Sequence, residues 1–318
     1  MLQTPALRSG SQILEDVSQL KFEFHRHENA SNLTQEIAFL FSNSGKRFRP
    51  ALVYLFGELF GLDRTHLETY AKAVEVTHTA SLIHDDVIDE SIERRKNPTL
   101  NATFTNTQAI LAGDYLLAHV IGELLKTSTP EITSDLTDAI KNLADGEWLQ
   151  AKLKTQGSAS WLELEEVARK KTGSLMKWSC LAPAKLAQKP IEIQDVCARM
   201  GDDIGLFFQM LDDVNDFNPK SGKPFGADII NAQQNFVTSH LLSHSPQFAQ
   251  ELRHFKQTGE MTILAEIEKS RKVVVEKSLE LERDLNARFA SLTTSDSEHL
   301  KKVFAKMLEK VREAFTPS

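Results

Sequence analysis

Cysteine, proline and glycine are all scarce in this chain of 318 residues, and each scarcity closes off a class of protein. The two cysteines, Cys180 and Cys197, form no CxxC or Cys/His spacing. That excludes a disulfide framework and a zinc site, fits a reducing compartment, and leaves both as expected core-filling thiols. With 14 Gly and 10 Pro there are too few turn residues for an all-β protein. Cations are in deficit too, 37 Lys+Arg against 44 Asp+Glu, or 37 − 44 = −7. A broad basic face for nucleic acid or anionic lipid is therefore excluded, although a local Arg/Lys cluster in a cleft is not. Long apolar runs are also missing: the longest, Ala109 to Leu125, is broken by Asp114, His119 and Glu123, and the first twenty residues hold no apolar signal core. The expectation is a soluble, cytoplasmic chain with no transmembrane segment and no nucleic-acid partner.

What is present is helical periodicity. The chain is 41% hydrophobic and a quarter charged, enough for a large buried core and unlike a disordered chain. Apolar residues recur at helical intervals from Ile267 through Val274, Leu281, Leu285 and Leu292, among charges such as Glu276, Lys277, Glu280 and Arg283. Leu67 to Ser91, Thr107 to Lys126 and Gly201 to Phe217 read as further helices, the last strongly apolar and ending in acids. Loops are expected at Ser42 to Gly45, Lys96 to Thr99, Thr127 to Thr133, Gln156 to Ser160 and Asn218 to Ala227. No composition break, repeat or low-complexity tract divides the chain. The expectation is all-α, one helical bundle over residues 1–318, large for a single domain.

Three constellations carry chemistry. Asp85, Asp86 and Asp89 end an otherwise apolar run, and Asp85 and Asp89, four apart, share one helix face about 6 Å apart along the axis. Like charges so placed repel, and a divalent cation resolves the conflict; a solvated acidic helix end is the plainer explanation of one such motif. Asp212, Asp213 and Asp216 repeat the spacing after the apolar Leu206 to Leu211. Two oxygen-only ligand sets at helix ends suit Mg²⁺, which keeps waters and binds substrate phosphates. Glu75 and His78 form a Glu-x-x-His step, but a di-iron bundle needs a second step that the chain lacks. The third set is cationic: Lys46, Arg47 and Arg49, then Arg94 and Arg95, with Lys171, Thr172, Gln209 and Lys223 as further diphosphate donors.

In order and spacing, GKRFRP, LIHDDVIDESIERR, ILAGDYLLA, KTG, FQMLDDVNDF and SGKPFGADI, from about Gly45 to Asp228, resemble the trans-isoprenyl diphosphate synthases of the polyprenyl synthetase family. The resemblance implies an all-α bundle around a deep central cavity, the isoprenoid synthase fold. It further implies a homodimer that condenses an allylic diphosphate with isopentenyl diphosphate using Mg²⁺. By position, Asp85, Asp89 and Asp212 would hold Mg²⁺, with Asp86, Asp213 and Asp216 in support. Arg94, Lys171, Thr172, Gln209 and Lys223 would hold the allylic diphosphate, and Lys46, Arg49, His78 and Arg95 the isopentenyl diphosphate. His84 is expected to support the carboxylates rather than act as a base. Ionising a C–O bond leaves an allylic cation and a departing polyanion, so the site needs clustered positive charge above a dry apolar cavity.

Product length follows from the side chains one turn below Asp85, about 6 to 8 Å deeper. Ala80 and Ser81, with Thr77 and Val74 further down, are small where the family's short-chain members carry aromatics, which implies a product of C20 or longer with Leu117 or Ile121 at the floor. Alternatively, the small residues serve only close helix packing. The chain also departs from the family pattern. Lys96 and Thr105 stand at expected glycines, and Ala232-Gln233-Gln234-Asn235-Phe236-Val237 replaces G-K-x-T-x-P, so that Gln233 stands for a lysine. Those departures admit a non-catalytic or regulatory subunit as an alternative. A terpene cyclase is a weaker one, having no use for Lys46, Arg49 and Arg95.

Overall fold

The structure, a computed structural model, describes residues 10–22, 47–94, 97–221 and 224–315. Among them the helices are α1 (Gly10–Ser18), α2 (Phe48–Leu59), α3 (Arg64–Ile88), α4 (Leu100–Thr103), α5 (Asn106–Thr127), α6 (Pro130–Gln156) and α7 (Trp161–Ala168). A π-helical turn, Arg169–Gly173, leads into α8 (Ser174–Leu186), followed by α9 (Ile191–Asp216), α10 (Ala227–Ile230), α11 (Phe236–His244), α12 (Ala249–Thr258), α13 (Leu264–Leu292) and α14 (His299–Phe315). The fold is all-α. Its strands are two-residue pieces, β1 (Glu93–Arg94) and β2 (Asn97–Pro98), paired antiparallel with Glu93 opposite Pro98 and Arg94 opposite Asn97. Part of the expected Lys96 to Thr99 loop is thus a hairpin strand. Helix α9 begins ten residues before Gly201, and α6 opens at Pro130, inside the expected Thr127 to Thr133 loop.

Local sequence explains where the helices start. The Asp63 carboxylate accepts from Thr65 N–H at 2.8 Å to cap α3, and Thr105 Oγ1 accepts from Gln108 N–H at 3.1 Å to cap α5. Thr105 thus does a capping job at a position where the family pattern has glycine. Ser160 and Glu163 cap α7 reciprocally. Asn235 Oδ1 accepts from Thr238 N–H at 2.9 Å to cap α11. Each such cap is worth about 1 kcal/mol.

Contacts sort the chain into two compact units, Met1–Ile140 with Trp178–Gln194, and Lys141–Lys177 with Asp195–Ser318. The divisions fall inside α6, α8 and α9 rather than in loops. In the first unit α3 lies between α2 and α5, burying Leu67, Val74, Thr77, Ala80 and Ile83. At its base the buried Trp178 indole donates to Ile132 O at 3.0 Å and its ring meets Tyr70 at 6.1 Å. Helix α5 is long and apolar enough to cross a membrane by length and composition, and a third of its apolar window is buried.

The second unit is built on α9, whose Ile204, Phe207, Leu211 and Val214 are fully buried. Helices α13 and α14 join through stacked Phe289 and Phe304, 4.4 Å between centroids, and an Arg312–Glu282 ion pair at 3.0 Å. Burying each such aromatic contributes roughly 1.5–3 kcal/mol. Cys180 and Cys197 are buried and form no disulfide, and burial pushes the Cys197 thiol up to about 12.

Candidate active site

Both aspartate motifs close a long helix. Asp85 and Asp86 lie in the last turn of α3 with Asp89 as its C-cap, and Asp212, Asp213 and Asp216 end α9. A helix C-terminus carries about half a negative charge. Three carboxylates stacked there compound it, so each end favours a cation more strongly than the spacing alone suggests.

The motif residues divide into two kinds. Asp85 and Asp212 are half-buried and Asp89 is exposed. Asp86, Asp213 and Asp216 are buried, at 4 to 6% exposure, and brace the backbone or a cation. Asp86 takes Arg94 as a fork, with Nε at 2.9 and 3.1 Å and Nη2 at 2.8 Å from its carboxylate oxygens. The turn that presents Arg94 is pinned by Ser91 N–H to Asp86 O at 2.9 Å, Thr99 Oγ1 to Ser91 O at 2.7 Å and Asn101 Nδ2 to Ser91 O at 3.0 Å. Asp216 accepts from Asp228 N–H at 3.2 Å, closing the loop between α9 and α10. Asp213 accepts from Phe236 N–H and Gln209 Nε2, each at 2.8 Å. Burial first, then the nearby Asp228 charge, push the Asp213 carboxyl well above the usual carboxylate range against those two hydrogen bonds.

His84 reaches across to α5. Its Nε2–H donates to Ile110 O at 3.2 Å and lies 3.5 Å from Asp114 Oδ1, joining α3 to α5. Gly113 makes room for it, since a Cβ there would sit 2.3 Å from the ring nitrogen. On α3, Thr77 and Ala80 are fully buried, Ser81 is half-buried, and the Thr77 and Ser81 hydroxyls donate to Ala73 O and His78 O at 2.8 Å. The buried stripe of α5 runs Ala109, Ala112, Leu116, Val120, Leu124. It is one residue out of phase with Leu117 and Ile121, which are only half-buried.

Of the cationic set, Arg49 sits half-buried in the first turn of α2 and His78 half-buried on α3. Lys46, Arg95 and Lys223, with the Ser42 to Gly45 loop and Lys96, lie outside the described residues. Arg47, at φ 47° in the N-cap position of α2, donates from Nη1 to Val17 O in the last turn of α1 at 2.8 Å and to Leu20 O just beyond it at 3.2 Å.

In the second unit Lys171 and Thr172 ride on the π-turn. Lys171 pairs with Glu147, a partner that sequence reasoning missed. The turn lies directly on α9 because Gly173 and Gly205 meet backbone to backbone, and a Cβ on Gly205 would be 2.2 Å from Gly173 Cα. Arg169, at the start of the turn, is tied to Asp203 of α9 at 2.6 Å, and Arg288 of α13 holds the other oxygen of Asp203 at 2.6 Å. Thr172 Oγ1–H then reaches Gln209 Oε1 at 3.2 Å. Below it a cavity of about 20 Å³ is lined by Gln209, Asp213, Gln233, Gln234, Leu164 and Phe236.

Among the described residues no three His, Cys, Asp or Glu side chains form a ready-made metal cage. Asp85 and Asp89 at the end of α3, and Asp212 at the end of α9, each offer oxygen donors at a negative helix end, the donor type a hard divalent cation takes.

The comparisons with known proteins agree with this class of site. A family model described as polyprenyl synthetase matches residues 30–271. A prenyl transferase of Synechocystis is 34% identical over 229 residues, 70% of this chain and 71% of that protein. The decaprenyl-diphosphate synthase of Dictyostelium discoideum is 31% identical over 257 residues, covering 80% of this chain and 55% of its own length. Among solved structures, a decaprenyl diphosphate synthase from Rhodobacter capsulatus shares the fold with a TM-score of 0.82 at 24% identity, over 95% of both chains. The family match and the curated relatives place the chain in the trans-polyprenyl diphosphate synthase class of prenyltransferases. The chain belongs to the polyprenyl synthetase family.

Proposed function

We propose that the chain condenses isopentenyl diphosphate with an allylic diphosphate to give a trans-polyprenyl diphosphate of C20 or longer. The observation that carries this reading is the placement of two aspartate motifs at the negative ends of apolar helices, one with Arg94 gripped by its own Asp86. Asp85, Asp89 and Asp212 would hold Mg²⁺, and the bound ion supplies positive charge to the leaving diphosphate.

Around it, Arg94, Lys171, Gln209 and Lys223 give cationic or N–H contacts to the allylic diphosphate, with Thr172 beside them. Lys46, Arg49, His78 and Arg95 hold isopentenyl diphosphate. Asp86, Asp213 and Asp216 support these groups by fixing Arg94, Gln209 and the loop backbone. Small side chains at Thr77, Ala80 and Ser81 leave the product tail room to lengthen, and the apolar walls keep water from the cation. We further propose one domain over 1–318, a homodimer and a cytoplasmic location; the helix-internal divisions between the units favour the first, and the two buried thiols outside any disulfide the last.

The test is incubation with labelled isopentenyl diphosphate, Mg²⁺ and each short allylic primer, followed by chromatography of dephosphorylated products. A Mg²⁺-dependent ladder reaching C20 or beyond is expected. No product with any primer from folded protein would overturn the reading. It would favour a non-catalytic subunit, for which Gln233 at the cavity wall is the specific argument.

A further inference from the structure

The π-turn at Arg169–Gly173 carries Lys171 and Thr172, and α9 grips the chain on both sides of it. A π-turn fits one residue more than an α-turn, so relaxing to α-helix would rotate its side chains by about 100° relative to the helix that follows. Two consecutive carboxylates oppose that slip. Asp203 Oδ1 takes Arg169 Nη1 at 2.6 Å at the start of the turn, and Asp202 Oδ2 takes Lys177 Nζ at 3.3 Å one turn beyond its end. Between them Gly173 lies against Gly205 with no room for a Cβ, and Gly146 of α6 is equally close to the Lys171 backbone. In this register Lys171 meets Glu147 of α6, and Thr172 Oγ1–H reaches Gln209 Oε1 at 3.2 Å.

We propose that Asp203 is a positioning residue that acts through Arg169 to keep the π-turn in register, and with it Lys171 and Thr172 in place for the allylic diphosphate. Its side chain is 13% exposed, and its second oxygen holds Arg288 of α13 at 2.6 Å. The two arginines are not equivalent. Arg288 also pairs with Asp284, whereas among the described residues Arg169 pairs with Asp203 alone. In Asp203→Asn the amide has one oxygen for two guanidinium groups and no charge. Arg169 then loses its carboxylate, while Arg288 keeps Asp284. The inference rests on the prenyl-transfer reading for what Lys171 and Thr172 bind, and its test includes a measurement that does not need turnover.

Losing a charge-assisted contact to a diphosphate lowers affinity about 10-fold or more. Asp203→Asn is therefore expected to raise the KM for the allylic diphosphate and the calorimetric dissociation constant for Mg²⁺–pyrophosphate by at least about 10-fold, with the KM for isopentenyl diphosphate within about 2-fold of wild type. Arg169→Gln, at a side chain already 39% exposed, tests the same link should Asp203→Asn fold poorly, and is expected to give the same split. The double variant is expected to be no worse than either single one. Arg288→Gln leaves Arg169 on Asp203 and should shift the allylic KM by less than about 3-fold. Arg312→Ala, which breaks the 3.0 Å ion pair to Glu282 between α13 and α14, is the control for lost stability alone and should move neither KM.

Amide hydrogen exchange over residues 169–175, followed without substrate, is expected to be about 10-fold or more faster in Asp203→Asn and Arg169→Gln and unchanged in Arg312→Ala. A wild-type allylic KM in both Asp203→Asn and Arg169→Gln would overturn the proposal. So would a rise shared equally by the isopentenyl diphosphate KM, the same split in Arg312→Ala, or unaltered exchange in the turn. Failure of wild-type protein to make product with any primer would sink the prenyl-transfer reading while leaving the exchange measurement to judge whether Asp203 holds the turn.

Discussion

Ala232→Gly is expected to stabilise the protein, although alanine-to-glycine changes ordinarily do the reverse. Ala232 has φ 56°, in the left-handed region, where Cβ crowds the following carbonyl. That conformation costs an L-residue about 1–2 kcal/mol, and glycine adopts it freely. Against this stands the greater freedom of glycine in the unfolded chain, about 0.4–1 kcal/mol. The difference leaves a net gain of about 0.5–1 kcal/mol. The turn is held from both sides, by Ala232 N–H to Ile229 O at 3.1 Å and Gln233 N–H to Asp228 O at 2.7 Å, so the alanine has no easy route to a relaxed φ. Equilibrium urea unfolding gives the measurement: the midpoint should rise with an unchanged slope. Ala151→Gly, exposed within the regular helix α6, serves as the control and should lower stability by about 1 kcal/mol. A lowered midpoint in Ala232→Gly, matching the control, would refute the left-handed assignment and the strain argued from it.

Gly205→Ala forces a Cβ to 2.2 Å from Gly173 Cα, so α9 and the π-turn must separate; a loss of about 2 kcal/mol or more is expected in urea unfolding, and wild-type stability would show that the two backbones are not in contact. Ala80→Phe puts an aromatic into a fully buried position one turn below Asp85 and should shorten the product; an unchanged chromatographic ladder means the tail takes another path. Asp85→Ala and Asp212→Ala should abolish turnover with little change in the unfolding midpoint, and retained rates would remove both from the metal site. Burial first, then His244 and Lys277, lower the His240 pKa, so the unfolded chain binds its proton more readily there. The stability that His240 contributes is therefore present above its unfolded value of about 6.5 and lost as pH falls through the lower folded value. His240→Gln should flatten that part of the stability profile, and an unaltered slope below about pH 6.5 would contradict it.

What the sequence made legible were features carried by local spacing. The helices ending in Asp89 and Asp216, the turn residues at 157–160 and the glycine missing at 232 all show in a few adjacent letters, and the structure supplies the consequence of the last as a positive φ. What stayed hidden depends on partners far along the chain. The π-turn has no local signature, because it packs through Gly173 onto Gly205, and Lys171 meets Glu147 from a different helix. On α5 apolar side chains run all round the helix, Ile110, Leu111 and Leu125 exposed and Leu116 and Val120 buried, so its buried face does not show in the letters alone.

The two aspartate motifs make the same point most sharply, being nearly identical in writing and different in use. Asp86 holds a cation, Arg94, eight residues on, whereas its counterpart Asp213 holds the N–H of Phe236, twenty-three residues on, and the amide of Gln209 one turn back. Spacing tells which carboxylates share a helix face, but which of them remains accessible to a ligand is decided by donors that arrive from elsewhere. Asp213 could be set apart from Asp212 only once the start of α11 was placed against α9.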